Sequence, residues 1–238
     1  MMWLSDYNKV LAAVAVAAIC GSAAHALVQI KGGANTALGE LDGRYGGGLY
    51  ASLGGEARLP WWNLAVMADL SYNTLGRDRP ITKLFAEYAE KEYPGVLPWA
   101  DVMEGLDLKS VFYGGSVGVR YYPVEHYFYA LYAEAGAAYL SRHLTAHYVP
   151  VSVLGKYVLD LDFSVPATQG LGVYADVGLR VIPGVPLISA DAGLRFTYAP
   201  GLGRTGFEDF LEENVPAFEA PESDNLFMVS FYVGASLF

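Results

Sequence analysis

Apolar and polar residues alternate along much of the chain, and this alternation constrains the fold more than any other feature of the sequence. Successive side chains of a β-strand point to opposite faces, so every second residue belongs to the same face. In residues 187–198 one face is apolar or amphipathic, and it consists of Ile188, Ala190, Ala192, Leu194, Phe196 and Tyr198. The other face is polar or glycine, and it consists of Ser189, Asp191, Gly193, Arg195 and Thr197. The segment is therefore predicted to be a strand between two different environments.

The same pattern recurs along the chain and predicts about eight antiparallel strands. It is weakest in the first segment and clear in residues 171–182, where six apolar residues oppose polar residues and glycines. The remaining predicted strands lie within 27–37, 49–59, 64–73, 111–121, 129–142 and 226–238.

The connections between these segments are of two kinds. Short connections at residues 60–62, 123–126 and 183–186 join strands in pairs. Long connections at about 77–107, 143–168 and 200–225 separate the pairs. Short turns at one end and long loops at the other are typical of an up-and-down barrel that spans the outer membrane, with the turns on the periplasmic side. An even number of strands places both termini at that same end.

A soluble β-sandwich would also alternate, but its polar faces would be rich in Lys, Glu and Thr. Here the polar faces carry glycines and regularly spaced acidic residues and arginines. Aromatic residues cluster near the predicted strand ends, as in the aromatic girdles of membrane proteins. These aromatics are Trp61, Trp62, Tyr72, Tyr121, Tyr122, Tyr127, Tyr129, Tyr139 and Tyr198. The membrane barrel is the preferred interpretation.

The N-terminal segment has the organisation of a secretory signal peptide. A polar start that contains Lys9 is followed by an apolar run over residues 10–20 and by small residues that end at Ala26. This apolar run is shorter than the roughly 20 residues that a membrane-spanning helix needs. Residues 1–26 are therefore predicted to be a signal peptide and residues 27–238 the barrel domain.

Composition excludes several other functions. Cys20, the single cysteine of the chain, lies within the predicted signal peptide, so disulfides and thiolate metal sites are not expected, and no cofactor or metal site is predicted. The formal net charge of −10 disfavours binding to nucleic acid, whose phosphates are negatively charged.

The C-terminal segment 226–238, which alternates and ends on Phe238, resembles the signal that outer-membrane barrels present to the barrel assembly machinery. Together with the strand count, the chain resembles the superfamily of small outer-membrane barrels that includes the membrane domain of outer membrane protein A and the OmpX and OmpW proteins. The resemblance implies residence in the cell outer membrane, surrounded by its lipid. Phe238 lies on the face of Ser236, Gly234 and Ser230 rather than on the apolar face, which is an unusual register for such a signal.

The predicted inward face contains five carboxylates and five arginines, namely Glu56, Asp69, Glu134, Asp176, Asp191, Arg58, Arg120, Arg142, Arg180 and Arg195. An eight-stranded barrel is just wide enough for side chains to fill it, and buried charges are tolerated when paired. These residues are expected to form an ion-pair network that closes the lumen, with glycines such as Gly178 and Gly193 leaving room for the arginines. A gated path for solutes or protons is the alternative, because ionisable groups inside a membrane are often functional.

The excess negative charge lies in the long connections. Residues 201–225 contain seven acidic residues against Arg204 alone, with apolar residues between them. Residues 80–93 carry apolar residues at helical spacing and are predicted to form a short amphipathic helix. These apolar residues either cap the mouth of the barrel or contact an extracellular partner or ligand.

A catalytic function has one candidate. Ser141 and His143 lie near the outer end of one strand and face the same way, as in outer-membrane lipid hydrolases, but no orienting acid can be assigned. The sequence thus predicts a barrel with a closed lumen and a structural or surface-interaction role. A narrow channel for small or hydrophobic solutes is the first alternative, and a lipid hydrolase is the second.

Overall fold

The computed structural model describes the strands and parts of the connections. The described residues are 26–39, 46–59, 62–76, 86–87, 90–91, 94–95, 106–148, 163–164, 167–182, 188–204, 209, 212–213 and 225–237.

These residues form nine strands. They are β1 (Ala26–Ala37), β2 (Gly48–Arg58), β3 (Leu64–Leu75), β4 (Leu106–Glu125), β5 (Tyr129–Tyr148), β6 (Phe163–Ser164), β7 (Thr168–Val181), β8 (Ile188–Ala199) and β9 (Leu226–Leu237). All pairings are antiparallel, and β1 pairs with both β2 and β9, which closes the sheet. The two-residue β6 pairs only with the outer end of β5, so the barrel wall has eight strands. The predicted all-β antiparallel barrel is confirmed.

The register around the wall fixes the width and tilt of the barrel. A path of directly paired residues leaves β1 at Ala26, crosses the other seven wall strands and returns to β1 at Thr36. One circuit therefore advances ten residues along the strand. With about 3.3 Å per residue and about 4.8 Å between strands, the strands tilt by about 40° from the barrel axis. A barrel of this size leaves room for side chains in its lumen.

The first two hairpins on the short-turn side are tight, but one predicted turn lies elsewhere. Residues 123–126 do not form the connection, because β4 continues to Glu125 and the turn lies at residues 126–128, where the His126 amide donates to the Tyr129 carbonyl (2.8 Å). Tyr121 pairs with Ala133 and Val124 with Leu131, so β4 carries one extra residue there. This β-bulge accommodates Pro123, which has no amide hydrogen for the ladder.

The long side also differs from the prediction. Residues 143–148 and Leu106 belong to strands rather than to the long connections, because β4 and β5 remain paired as far as Leu106 and Tyr148. This hairpin extends beyond the ends of the neighbouring strands. Residues 86, 87, 90 and 91 of the predicted helix over 80–93 are helical, and the rest of that segment lies outside the described residues. None of the described helical residues forms a helix long and apolar enough to cross a membrane.

The two faces of the wall have opposite chemistry. Apolar side chains on the outer face are exposed, with Val117 53% and Val173 57% accessible. The inner face contains most of the buried polar and charged residues. This inverts the usual arrangement of a soluble protein and is the arrangement of a barrel surrounded by lipid.

Aromatic rings border the apolar outer face at both ends. Trp62, Tyr121, Tyr127, Phe128 and Tyr129 are exposed near the short turns. At the opposite end the outward-facing aromatics pair, Tyr72 with Tyr113 (5.4 Å between ring centroids) and Tyr198 with Phe227 (5.4 Å). Along β5 the two borders are marked by Tyr129 and Tyr139, about 25 Å apart along the axis, which matches the apolar thickness that a membrane barrel presents.

Replacement of Val117 by Arg tests this assignment of the outer face. Val117 lies midway between the aromatic borders, so a charge there must enter hydrocarbon, and we expect the free energy of unfolding in lipid to fall by about 2–4 kcal/mol. Leu49→Arg is the matched control, since Leu49 is 65% exposed but lies near the outer border, where the expected loss is about 0–1 kcal/mol. Urea titration of both variants in the same lipid gives the two values. Equal losses would contradict the proposed depth of the two residues.

Candidate functional site

The site that the fold assembles is the interior of the barrel. Successive side chains of a strand point to opposite faces, so every second residue points into the lumen. Polar side chains there are shielded from water and must therefore form hydrogen bonds or ion pairs with one another. The described inner face holds charged residues from seven wall strands, all of which except Arg58 are almost completely buried.

Glu56 on β2 is the centre of the network near the short turns. Arg120 Nη1 lies 3.0 Å and Arg180 Nη2 2.9 Å from its Oε2 atom. The Gln29 amide donates to the same oxygen (2.8 Å), and the Tyr122 hydroxyl donates to Oε1 (2.5 Å). One carboxylate therefore compensates two buried guanidinium groups, one from β4, two strands away, and one from β7, on the opposite wall.

Arg120 links this centre to a second carboxylate. Its Nε and Nη2 atoms donate to Glu134 Oε2 at 2.9 and 2.7 Å. The Tyr174 hydroxyl donates to the other oxygen of Glu134 (2.6 Å). The Arg120 guanidinium also stacks over the Tyr132 ring, 4.0 Å from its centroid. Two ion pairs and a cation–π contact thus hold a side chain that is 0% exposed.

Arg180 has a second carboxylate partner on the adjacent strand. Its Nε donates to Asp191 Oδ1 (2.9 Å), and its Nη1 donates to the Tyr122 hydroxyl (2.9 Å). Ser236 donates to the other oxygen of Asp191 (2.5 Å). The pairing follows from the register, since Arg180 and Asp191 are directly opposite in the β7–β8 ladder.

Asp69 and Arg195 form an ion pair across the full width of the lumen. Asp69 lies on β3 and Arg195 on β8, four strands apart in either direction around the eight-stranded wall. Arg195 Nη1 lies 2.9 Å from Asp69 Oδ2, and Nη2 donates to Ser116 (2.6 Å). The guanidinium also stacks over the Tyr174 ring at 3.9 Å. Side chains that meet from opposite walls leave no continuous open pore at this level.

Lys31 belongs to the same network, although the sequence did not identify it. It is 4% exposed, and its Nζ atom lies 3.4 Å from Asp176 Oδ2 and 4.5 Å from the centroid of the Tyr232 ring. The Tyr232 hydroxyl donates to Asp176 Oδ1 (2.5 Å). The alternation of β1 is weak, so the sequence does not clearly distinguish its inward face. Gln29, Lys31 and Asn35 are two or four residues apart and therefore share one face of the strand. This even spacing was the signal that could have identified Lys31 as an inward residue.

Tyrosines occupy the space next to the lumen glycines. The expectation that Gly178 and Gly193 make room for arginines is wrong. An added Cβ would lie 2.4 Å from the Tyr132 hydroxyl at Gly178 and 2.5 Å from the Tyr232 hydroxyl at Gly193. These two tyrosines meet at 2.7 Å between their oxygens. The glycines therefore allow tyrosine rings to lie flat over the neighbouring backbone.

Three predicted positions have other surroundings than expected. Arg58 lies at the inner rim, where its Nε atom is 3.2 Å from Glu56 and a second ion pair joins it to the exposed Glu125. Arg142 lies at the outer end, where it donates to Ser110 (3.0 Å) and to the Leu202 carbonyl (3.0 Å). Tyr122, predicted in the aromatic girdle, is 1% exposed in the lumen.

An apolar layer separates Arg142 from the network. Leu140 is the inward residue that precedes Arg142 on β5, and it is 2% exposed. The layer is a cluster of buried side chains from the outer ends of the strands and from Leu202. Its members are Ala37, Leu75, Phe112, Ala138, Leu140, Tyr174, Ala199, Leu202, Leu226 and Met228. The lumen is thus charged near the short turns and apolar towards the long connections.

The candidate catalytic pair lies outside the lumen. The Ser141 hydroxyl and His143 Nε2 are 3.1 Å apart on the outer face of β5. Phe238 lies outside the described residues. Among the described residues, no three His, Cys, Asp or Glu side chains are grouped so as to hold a metal ion.

Comparison with known proteins identifies the fold. No protein-family model matches the chain, and no curated protein matches it. Among solved structures, the chain is similar to a major outer membrane protein from Thermus thermophilus, with 18% identity and a TM-score of 0.51 over 89% of this chain and 98% of that one. Other matches are the attachment invasion locus protein Ail of Yersinia pestis and the N-terminal β-barrel domain of Pseudomonas aeruginosa OprF. Ail has 12% identity, a TM-score of 0.43 and coverage of 89% and 96%. The OprF domain has 13% identity, a TM-score of 0.38 and coverage of 89% and 97%.

Replacement of Glu56 by Gln tests the importance of the network centre. Gln keeps the shape of the side chain but leaves Arg120 and Arg180 without their shared negative charge, so the free energy of unfolding is expected to fall by about 3–5 kcal/mol. Glu125→Gln is the control, because Glu125 pairs with Arg58 at the exposed rim, where the loss is expected to be about 0–1 kcal/mol. Denaturant titration in lipid measures both values, and a Glu56 variant as stable as the control would contradict the network.

Proposed function

We propose that this eight-stranded outer-membrane barrel is a closed structural element that carries surface loops, rather than a diffusion pore. The ion pair between Asp69 and Arg195 supports the proposal most directly, because it joins opposite walls of the barrel (2.9 Å). Buried guanidinium groups and a tyrosine ring also cross the lumen nearer the short turns. A barrel without a continuous lumen acts through its surfaces.

The long connections are proposed to carry out the surface role. Residues 201–225 carry seven of the acidic residues of the chain, and the base of this segment is held by ion pairs from Arg204 to Asp209 and Glu212. The hydrogen bond that Arg204 donates to Asp209 raises the pKa of Arg204 above its usual value, so the guanidinium stays charged. An acidic segment of this kind suits an extracellular partner with a basic surface, or divalent cations shared with the lipid surface.

Export and assembly complete the proposal. Residues 1–26 act as the signal peptide, and Ala26, the residue before the proposed cleavage, is also the first residue of β1. Phe238 is proposed as the terminal residue of the assembly signal, following the outward-facing Leu237 at the end of β9.

Planar-bilayer recording tests the closed lumen. Purified chain refolded into lipid is expected to give no steady conductance, because paired charges and apolar side chains block the lumen at several levels. A general porin inserted in the same bilayers provides the positive control. A steady open level from the chain would contradict the proposal and favour the narrow-channel alternative.

A lipid hydrolase is the second candidate, and one contact favours it. The Ser141 hydroxyl lies 3.1 Å from His143 Nε2, on the outer face of the wall at the aromatic border, where Ser141 is directly opposite Tyr113. There the Nε2 atom is placed to accept the hydroxyl proton while Oγ attacks a lipid ester. The His143 ring also packs edge-on against Tyr113 (5.5 Å between centroids), and within the described residues it contacts no carboxylate.

Ser141→Ala tests this second candidate. If the pair is catalytic, chain in lipid vesicles releases fatty acid, and the variant loses that release by about 100-fold or more. His126→Ala is the control, because His126 lies in a turn at the other end of the barrel. Absence of release from the unaltered chain, or equal release from the Ser141 variant, would remove the candidate.

A further inference from the structure

Leu202 closes the outer end of the lumen from a connection rather than from the wall. It belongs to the apolar layer and is 0% exposed, yet it follows the end of β8 by three residues. The other nine described members of the layer are strand residues. Each strand member is tied to at least one neighbouring strand through the ladder, whereas Leu202 can leave the layer with a local change in its connection.

Specific contacts hold Leu202 in place. Arg142 Nη1 donates to its carbonyl (3.0 Å), and Gly201, with φ of 73°, turns the chain inwards in a conformation that favours glycine. A Cβ added at Gly170 would lie 3.1 Å from Leu202 Cγ, so this glycine leaves space for the side chain. The carbonyl contact is made by the Arg142 side chain and is not one of the ladder hydrogen bonds of the wall.

Three buried polar atoms without hydrogen-bond partners in the described part of the chain lie beneath the layer, in a region that we call the chamber. Asn35 Oδ1, Asp69 Oδ1 and Ser230 Oγ are buried and have no hydrogen-bond partner among the described residues. In the ladders, Ser230 is directly opposite Asn35 on one side and Arg195 on the other. Arg195 in turn binds Asp69, so the three unpartnered atoms face one region of the lumen. Each such atom destabilises the folded state unless a small polar species binds it.

The acceptor atoms of the chamber favour a cation. Below the apolar layer, the described lumen contains five carboxylates, Glu56, Asp69, Glu134, Asp176 and Asp191. Five cations balance them, Lys31, Arg58, Arg120, Arg180 and Arg195, with Arg58 pairing with Glu56 at the rim. Of the three unpartnered atoms of the chamber, Asn35 Oδ1 and Asp69 Oδ1 can only accept, and the second belongs to a carboxylate, so a cation suits them better than an anion.

We propose that Leu202 is the removable stopper of an outer hydrophobic gate, and that the chamber beneath it accepts small cations from the outer side. The inference rests on the proposed closed lumen and adds the means by which its outer end opens. Water is excluded from a narrow apolar constriction, so removing one side chain from the layer wets it and connects the chamber to the outside.

Thiol accessibility in the chamber tests the gate. Ser230→Cys places a thiol beneath the layer, in a chain in which Cys20 is replaced by Ser so that no other thiol is present. Folded protein in micelles is exposed to Ag⁺ or to the anion dicyanoaurate, and the free thiol that remains is counted after unfolding. Leu202→Ala is expected to raise the rate of reaction with Ag⁺ by about tenfold or more and to raise the rate with the anion much less. Arg142→Gln, which releases the Leu202 carbonyl, is expected to act in the same direction.

Leu75→Ala is the matched control, because Leu75 is an equally buried leucine of the same layer but belongs to β3. If the thiol reacts with Ag⁺ no faster in either the Leu202 or the Arg142 variant, the proposed stopper is wrong and the proposed closed lumen still stands. Equal acceleration by Leu75→Ala would show that the whole layer seals and would also overturn it. Rapid reaction in the parent with Leu202 present would instead contradict the closed lumen itself. Unaltered gel mobility of the unheated variants verifies that each is folded.

Discussion

Closure of eight strands with a register advance of ten residues leaves a lumen only as wide as the side chains that line it, and the rest of the structure follows from that width. A charge in such a space cannot reach water, so it must reach a charge of the opposite sign on another strand. Glu56 and Arg180 do so from opposite walls, as do Asp69 and Arg195. The desolvation cost of each group is offset only if these contacts form together, which couples closure of the wall to filling of its interior.

Tyrosines give the network its geometry. Tyr122 and Tyr174 each donate to a carboxylate, and the rings of Tyr132 and Tyr174 each receive a guanidinium on one face. Glycines on the adjacent strands leave room for these rings to lie across the lumen. The apolar layer then ends the polar interior on the side of the long connections. Charges near the short turns and apolar residues near the outer mouth give the lumen two ends of different chemistry.

The sequence alone allowed most of the wall and part of the interior to be predicted. Strands such as β7 and β8 were recognisable because lipid on one side and a packed lumen on the other impose strict alternation. Lys31 was missed because β1 has glycines at two successive positions, Gly32 and Gly33, which blur the difference between its faces. The turn at Pro123 was misplaced, because a bulge allows proline inside a strand. Which charges pair across the lumen depends on register around the whole barrel, and no local pattern contains that information.

The central claim is that charges from opposite walls meet inside the barrel, and a double-mutant cycle on Asp69 and Arg195 tests it most directly. Asp69→Asn, Arg195→Gln and the double variant are unfolded by denaturant in lipid, and the coupling free energy is taken from the four stabilities. A direct pair in the lumen predicts a coupling of about 1–3 kcal/mol, with the double variant less destabilised than the sum of the single variants. Additive losses, within about 0.5 kcal/mol, would show that the two residues do not meet and would contradict the closed lumen.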